Sequence, residues 1–355
     1  MKSTRYIRQT NLKEFGPEAQ QKLANASVLV IGLGGLGIPV LQYLNAMGVG
    51  TLGLVEQDTI ELTNLQRQVL YAENDIGRQK LEVTLEKLQA QNSETQFKTF
   101  DTFLTKENAL EIIAGFDIVV DASDNFPTRY LVNDACVILK KPFVYGALHS
   151  FEGQVSVFNY KGGPTYRCLF PKMPSSTEIP NCNDNGVLGV IPGIIGNLQA
   201  LEVVKIITSI GEVLTGKLLL YSGLNQFLQK INFTLIPENH NIVKLQEDYG
   251  MNGCVANFDI SVEALQELIS IQKHPQIIDV RTTSEYASYH LPESINIPLN
   301  ELEERTTEID TKTPIYVVCQ SGKRSQIAIA QLQESIAGTF YNVAGGINKF
   351  LEICL

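Results

Sequence analysis

Short β-branched apolar runs alternate with helically spaced apolar residues along most of the chain. Residues 27–31 (SVLVI) form one such run, and apolar side chains recur at helical intervals over 36–47. A second run, 52–55, closes at Glu56. The pattern then predicts a polar-faced helix over 76–91, a buried strand over 116–120 (FDIVV), a helix over 126–139 and a strand over 142–145. Alternation of this kind predicts a doubly wound, mostly parallel α/β sheet. Residues 154–158 and 217–221 read as strands of an antiparallel extension, separated by an apolar helix over 194–210.

Between residues 237 and 256 the periodicity lapses while Asn, Gly and charged residues gather, as in a linker. It then restarts with helices over 262–271, 284–289 and 325–334 and strands over 277–280, 315–319 and 340–343. The expected organisation is therefore a domain over 1–236, a linker over 237–256 and a small α/β domain over 257–355.

Residues 23–55 carry no charged side chain and are long enough to span a bilayer. Their seven glycines and Pro39 fit strand, turn, buried helix and strand better, so no membrane span is expected. The charged N-terminus lacks the apolar core of a signal peptide, which predicts a cytoplasmic protein. With 355 residues, 44% of them hydrophobic, the chain is long enough to bury its core without disulfides, so the six cysteines read as free thiols. The net charge of −10 is spread over both halves, and no Lys/Arg cluster suggests nucleic-acid binding.

Gly32, Gly34 and Gly37 form G-x-G-x-x-G between a strand and a helix, with Glu56 ending the next strand. Glycines let the backbone approach phosphate, the helix N-terminus supplies N–H donors, and the acid takes ribose hydroxyls. NAD, FAD and ATP all fit this motif. The segments NLQRQ (64–68), GRQK (77–80) and DASDN (121–125) narrow the choice. Arg67 and Lys80 suit a triphosphate, and Asp124, at the C-terminal end of a strand, suits Mg²⁺. The plainer reading makes the cations surface charges and Asp124 a helix N-cap.

With RYIRQ (5–9), GLGGLG (32–37), YRCLFP (166–171) and NCNDNGVLGV (181–190), these segments resemble the adenylyltransferases that activate ubiquitin-like sulfur carriers in molybdopterin and thiamine biosynthesis. The resemblance implies a Rossmann-like fold with ATP over Gly35 and Glu56, and Asn64, Arg67, Gln68 and Lys80 around the phosphates. It further places Mg²⁺ on Asp124, with Asn125 shaping the pocket. Arg8 matches an arginine that reaches the partner subunit's phosphates, which implies a homodimer. Glu56 stands where the molybdopterin type usually has aspartate.

Members of that family often hold zinc in two C-x-x-C pairs. Here Thr165 replaces the first cysteine of the pair that Cys168 would complete, and the later pair is missing, with only His240 nearby. Zinc is therefore not expected, and Cys168 is expected to be a small packed residue. The resemblance makes Cys182, in a Pro- and Asn-rich loop, the sulfur-handling cysteine, against an incidental thiol.

Cys319 opens the loop CQSGKRS between a strand and a helix, where loop N–H groups, Lys323 and Arg324 favour negative charge on sulfur. A phosphatase uses a similar cradle. With IDVR (278–281), EY (285–286), HLP (290–292) and GGI (345–347), residues 255–355 resemble a rhodanese domain, which implies a persulfide on Cys319 within the loop of Gly322, Lys323 and Arg324. Asp279, Arg281 and His290 read as structural. Glu293 and Phe350 depart from that family's usual glycine and tryptophan.

The expected activity is ATP-dependent adenylation of the C-terminal glycine of a carrier ending in Gly-Gly, followed by sulfur transfer from Cys319. A persulfide donor such as a cysteine desulfurase would load that cysteine. Rival readings are activation of the thiamine carrier, ubiquitin-like conjugation with a thioester on Cys182, and tRNA threonylcarbamoyladenosine cyclisation. An NAD oxidoreductase has no use for Arg67, Lys80 and Asp124 together, and a role in binding alone would not need DASDN intact.

Overall fold

The computed structural model describes residues 4–174, 186–249, 258–271, 275–336 and 338–354. Cys182 lies outside the described residues. The chain divides into two units, Met1–Tyr249 and Gly250–Leu355.

In the first unit, helices α1 (Ile7–Thr10) and α2 (Gly16–Asn25) precede β1 (Ser27–Ile31), α3 (Gly37–Ala46) and β2 (Thr51–Val55). Then come α4 (Lys80–Gln91), β3 (Gln96–Phe100), α5 (Ala109–Ala114), β4 (Ile118–Asp121), α6 (Phe126–Ile138), β5 (Phe143–His149) and β6 (Glu152–Phe158). The unit closes with α7 (Tyr166–Leu169), α8 (Val190–Thr208), β7 (Lys217–Ser222) and β8 (Phe227–Asn232). The sheet runs β3-β2-β1-β4-β5-β6-β7-β8. Its first five strands are parallel and the last three antiparallel, the mixed sheet expected from the sequence.

Central strands are apolar because both their faces are covered. Leu29, Val30, Val119 and Val120 are fully buried, and each such side chain contributes roughly 1.5–3 kcal/mol. The edge strands β3 and β8 carry QFKTF and FLQKIN, mostly exposed, and for want of an apolar run they do not stand out in the sequence. The helix read from residue 76 starts at Lys80, because a 3₁₀ turn at Glu73–Asp75 and a left-handed Gly77 (φ 85°) precede it.

By length and composition α8 could cross a membrane. In this fold it lies against β5, β6 and α3, with Ile195 and Val203 fully buried. Gly196 allows the approach, since a Cβ there would meet the carbonyl of Leu36, just ahead of α3, at 2.5 Å. Its buried Glu202 accepts the Leu214 amide at 2.9 Å and pairs with Lys205.

The second unit is a separate α/β sheet. It contains β9 (Phe258–Ile260), α9 (Val262–Ile271), β10 (Gln276–Asp279), α10 (Thr283–Ser288) and β11 (Ile295–Asn296). These are followed by β12 (Ile315–Val318), α11 (Lys323–Ser335), β13 (Phe340–Val343) and α12 (Gly346–Cys354). The strand order is β11-β10-β12-β13-β9, all parallel. Phe350 fills a core position, and Glu293 adopts φ 64°, a left-handed conformation that suits glycine.

Candidate functional site

The glycine loop is built by close approach. Gly32 leaves β1 at φ 94°, and a Cβ there would lie 2.9 Å from the Ala122 carbonyl at the end of β4. At Gly37 a Cβ would sit 1.9 Å from the Gly32 carbonyl, so only glycine fits where α3 begins. Gly35 faces Pro192 of α8 and the Arg67 side chain, while Gly34 faces Gln68. Tyr71 braces the loop by donating to the Leu33 carbonyl at 2.9 Å.

Glu56 ends β2 buried, and three backbone amides already claim its carboxylate. Oε2 accepts from Leu33 at 2.9 Å, and Oε1 accepts from Gln57 at 2.9 Å and Asp58 at 3.1 Å. The carboxylate therefore holds the loop in shape. Asp58 in turn pairs with Lys80, whose ammonium lies 3.1 Å from Oδ2 at the N-terminus of α4. Lys80 is buried.

Asn64 accepts the Glu61 amide at 3.2 Å and closes a 3₁₀ turn. Arg67 donates to the Thr63 carbonyl at 2.9 Å, and Gln68 is buried with its Oε1 unpartnered among the described residues. Across the loop, Asp121 is buried and pushed up by desolvation; its Oδ1 accepts both the amide and hydroxyl of Ser123. Asp124 is exposed just beyond β4 and has no hydrogen-bond partner among the described residues. The helix cap is Asn125, which accepts the Thr128 amide at 2.9 Å, so Asp124 is left available.

Arg8 is not brought to this loop. Its neighbour Gln9 donates to the Met47 carbonyl at 3.0 Å, at the far end of α3. That helix separates the two places by roughly 15 Å of axis.

In the second unit Cys319 follows β12 and is fully buried. Its Sγ accepts the Gly322 amide at 3.2 Å and faces the Ser325 hydroxyl at 3.4 Å. Gly346 packs under the loop, where a Cβ would meet the Cys319 carbonyl at 2.2 Å. Lys323 opens α11, and Arg324 beside it forks onto Glu285 at 2.6 and 2.8 Å. That guanidinium, opposed by partial burial, holds the Glu285 carboxyl at about 2. Arg281 is buried in a bidentate pair with Asp279 and reaches Gln320 of the loop at 3.1 Å. His290 stacks on Tyr286 and contacts the Tyr286 carbonyl at 3.0 Å.

The pattern of the ThiF family matches residues 6–241, and that of the rhodanese-like domain matches residues 261–353. The chain belongs to the ThiF family. It is 40% identical to an adenylyltransferase and sulfurtransferase MOCS3 of Aedes aegypti, over 98% of this chain and 86% of that protein. The Arabidopsis thaliana protein of the same name is 37% identical over 98% and 82%. Among solved structures the chain is similar to E. coli MccB with ATP, at 25% identity and a TM-score of 0.59, covering 66% of this chain and 73% of that one.

Zinc does not suit the corner around Cys168. Positions 165 and 168 converge on positions 236 and 239, but only Cys168 offers a thiol. Its Sγ lies 3.4 Å from the Thr165 hydroxyl, 3.3 Å from the Ile236 amide and 3.4 Å from Asn239 Nδ2. Two of these partners donate protons rather than electron pairs, and His240 is engaged with the Gly163 carbonyl at 3.0 Å. Burial opposes charge on the sulfur, but hydrogen bonds from Asn239, Thr165 and Ile236 outweigh it and hold the thiol below its usual value. Cys168 is thus a half-buried hydrogen-bond hub rather than a filler. Magnesium is a better match at Asp124, an exposed carboxylate just beyond β4, since Mg²⁺ binds through one or two carboxylates plus phosphates.

Proposed function

We propose that this protein is an adenylyltransferase and sulfurtransferase for a ubiquitin-like sulfur carrier ending in Gly-Gly. The observation that carries the reading is one chain holding both a close-packed glycine loop, with Arg67 against Gly35, and a buried cysteine at Cys319 whose sulfur accepts a loop amide. Near-full-length similarity to proteins of that double name supports it. Molybdopterin synthesis is the favoured destination of the sulfur.

In the first step the carrier's C-terminal carboxylate attacks the α-phosphorus of ATP, forming the acyl-adenylate and expelling pyrophosphate. Gly32, Gly34, Gly35 and Gly37 bring backbone against the nucleotide, Glu56 takes ribose, and Asn64, Gln68 and Asn125 line the pocket. Arg67, Lys80 and the partner subunit's Arg8 face the charge that builds on the phosphates, and Asp124 would hold Mg²⁺. Bound magnesium would supply further positive charge there. The protein is read as a homodimer, a reading supported by α1 lying at the far end of α3 from its own loop.

In the second step a persulfide on Cys319, loaded by a donor such as a cysteine desulfurase, attacks the acyl carbon through its outer sulfur and displaces AMP. The product is an acyl disulfide between carrier and Cys319. A thiol, assigned to Cys182, then attacks the Cys319 sulfur, releasing the carrier thiocarboxylate and leaving a Cys182–Cys319 disulfide that an external thiol reduces. The unit ending at Tyr249 carries the first step and the unit beginning at Gly250 the second, in the cytoplasm.

The test is pyrophosphate exchange into ATP with each candidate carrier, intact and lacking its last glycine. Exchange with one intact carrier alone is expected, and exchange with none would overturn the reading.

A further inference from the structure

Cys319 Sγ accepts the Gly322 amide at 3.2 Å, and the Ser325 hydroxyl stands 3.4 Å from it. Arg324, a cation of the same loop, is forked onto Glu285 instead. Ser325 is fully buried in the first turn of α11, where its hydroxyl also reaches the Gly322 carbonyl at 3.0 Å. That local bond alone would satisfy a serine at this position. The hydroxyl nevertheless makes a shorter contact, 2.6 Å, to Asn342 Oδ1 on β13.

Asn342 is 1% exposed and interrupts an apolar layer. It lies in register with Val317, and the alternation of side chains along a strand puts it on the face that carries Ile315, Val317 and Cys319. Ala328 and Ile329 of α11 pack on that face. A buried amide costs stability there unless it is bonded, and its bond to Ser325 joins three consecutive elements through buried polar atoms that end on the sulfur.

We propose that Ser325 is a catalytic residue of the second unit, the side-chain donor to the Cys319 sulfur in its anionic state, and that Asn342 is the residue that positions it. The proposal rests on the sulfurtransferase reading above. A serine has one proton to share among these neighbours. While Cys319 is a thiol, the hydroxyl gives its proton to Asn342 Oδ1 and accepts the S–H. Once the thiol proton has left for solvent, the hydroxyl turns its own proton onto the sulfur beside the Gly322 amide, and the Asn342 amide turns Nδ2 toward Oγ. An amide, with an acceptor and donors at one end, serves both states; a carboxylate or an alkyl group does not. The anionic sulfur is the form that takes sulfur from a donor persulfide.

The experiment compares the full-length wild type with Ser325→Ala, with Ser325→Thr, which keeps a hydroxyl, with Asn342→Leu, and with the double variant Ser325→Ala/Asn342→Leu. Three readouts are taken: iodoacetamide alkylation of Cys319 at neutral pH, followed by peptide mass spectrometry; single-turnover loading of Cys319 from excess free persulfide; and the infrared S–H band of Cys319, isolated by difference from Cys319→Ser. Ser325→Ala is expected to slow alkylation and loading by about tenfold or more, as for the loss of a hydrogen bond to a charged atom, and to move the S–H band to higher frequency. Ser325→Thr should recover most of both rates. Asn342→Leu should slow both reactions less than Ser325→Ala does, and the double variant should be no slower than Ser325→Ala, because Asn342 acts through Ser325. A serine that only fills space predicts the opposite sign, since its removal loosens the packing and speeds attack on a buried sulfur. Alkylation in Ser325→Ala at or above the wild-type rate, or losses that add in the double variant, would overturn the proposal. Should Asn342→Leu fail to fold, the two Ser325 variants and the S–H band decide. Should the wild type take no sulfur onto Cys319, the sulfurtransferase reading falls, and alkylation and the S–H band alone decide whether Ser325 serves the sulfur.

Discussion

Arg324 forks onto Glu285 through two hydrogen bonds of 2.6 and 2.8 Å, tying α10 to the loop that presents Cys319. Because Arg324 holds the Glu285 carboxyl at about 2, below its ordinary value, the pair's stabilisation is complete above the ordinary value and lost as pH falls toward 2. Both side chains are about one-third exposed, which limits the contribution to about 1 kcal/mol. Glu285→Gln should lower the second unit's unfolding midpoint at pH 7 and flatten its pH dependence below pH 4.5, measured by urea titration across pH. An unchanged slope would show that the pair does not carry it.

Glu56→Gln should loosen the glycine loop. An amide keeps one acceptor oxygen and turns an NH₂ toward backbone donors, a loss of roughly 2–3 kcal/mol for a buried charged acceptor. Thermal unfolding should drop accordingly and ATP affinity, read by calorimetry, should fall at least about tenfold. Wild-type affinity in the variant would mean that the three amides do not depend on the carboxylate.

Two glycine-to-alanine changes should behave oppositely. Gly37→Ala drives a Cβ into the Gly32 carbonyl and should abolish nucleotide binding. Gly193→Ala in α8 meets nothing within 4 Å and should stabilise the chain by about 0.5–1 kcal/mol through helix propensity. Denaturant midpoints and nucleotide titration separate the two.

Lys80→Ala and Asp124→Asn should each lower pyrophosphate exchange about 10²–10³-fold. Stability should move by less than about 1 kcal/mol, since the Lys80 partner Asp58 remains half in water. Exchange at the wild-type rate would remove either residue from the phosphate site.

Glu293→Gly should raise the second unit's stability by about 0.5–1 kcal/mol by relieving a left-handed backbone. Chemical denaturation of the full chain, following the second unit's transition, tests this directly.

The parallel sheet was readable because its central strands are apolar on both faces and its helices carry the 3.6 period. The glycine loop was equally plain, since close backbone approach admits no other residue at Gly32 or Gly37. What escaped sequence reasoning is long-range pairing. Nothing local in Glu56 announces that it locks Leu33, and nothing in Asp58 marks it as the partner of Lys80. Tyr249 lies in a stretch read as linker, yet it belongs to the first unit through Asp134, 115 positions earlier. The edge strands β3 and β8 lacked the one signal that strand reading depends on. Glu293 was the reverse case, a visible departure whose conformational meaning needed the backbone angle.

The hydrogen-bonded cluster at Cys168 has a consequence for the protein's supply needs. Where two cysteine pairs would grip an ion, folding waits on delivery of that ion and fails under chelation or metal starvation. Here the same corner is closed by a threonine, an asparagine and a backbone amide, all present as soon as the chain is made. Closure of that corner is thereby uncoupled from cellular zinc, and one fewer thiolate cluster stands exposed to the reactive sulfur that the second unit is proposed to carry.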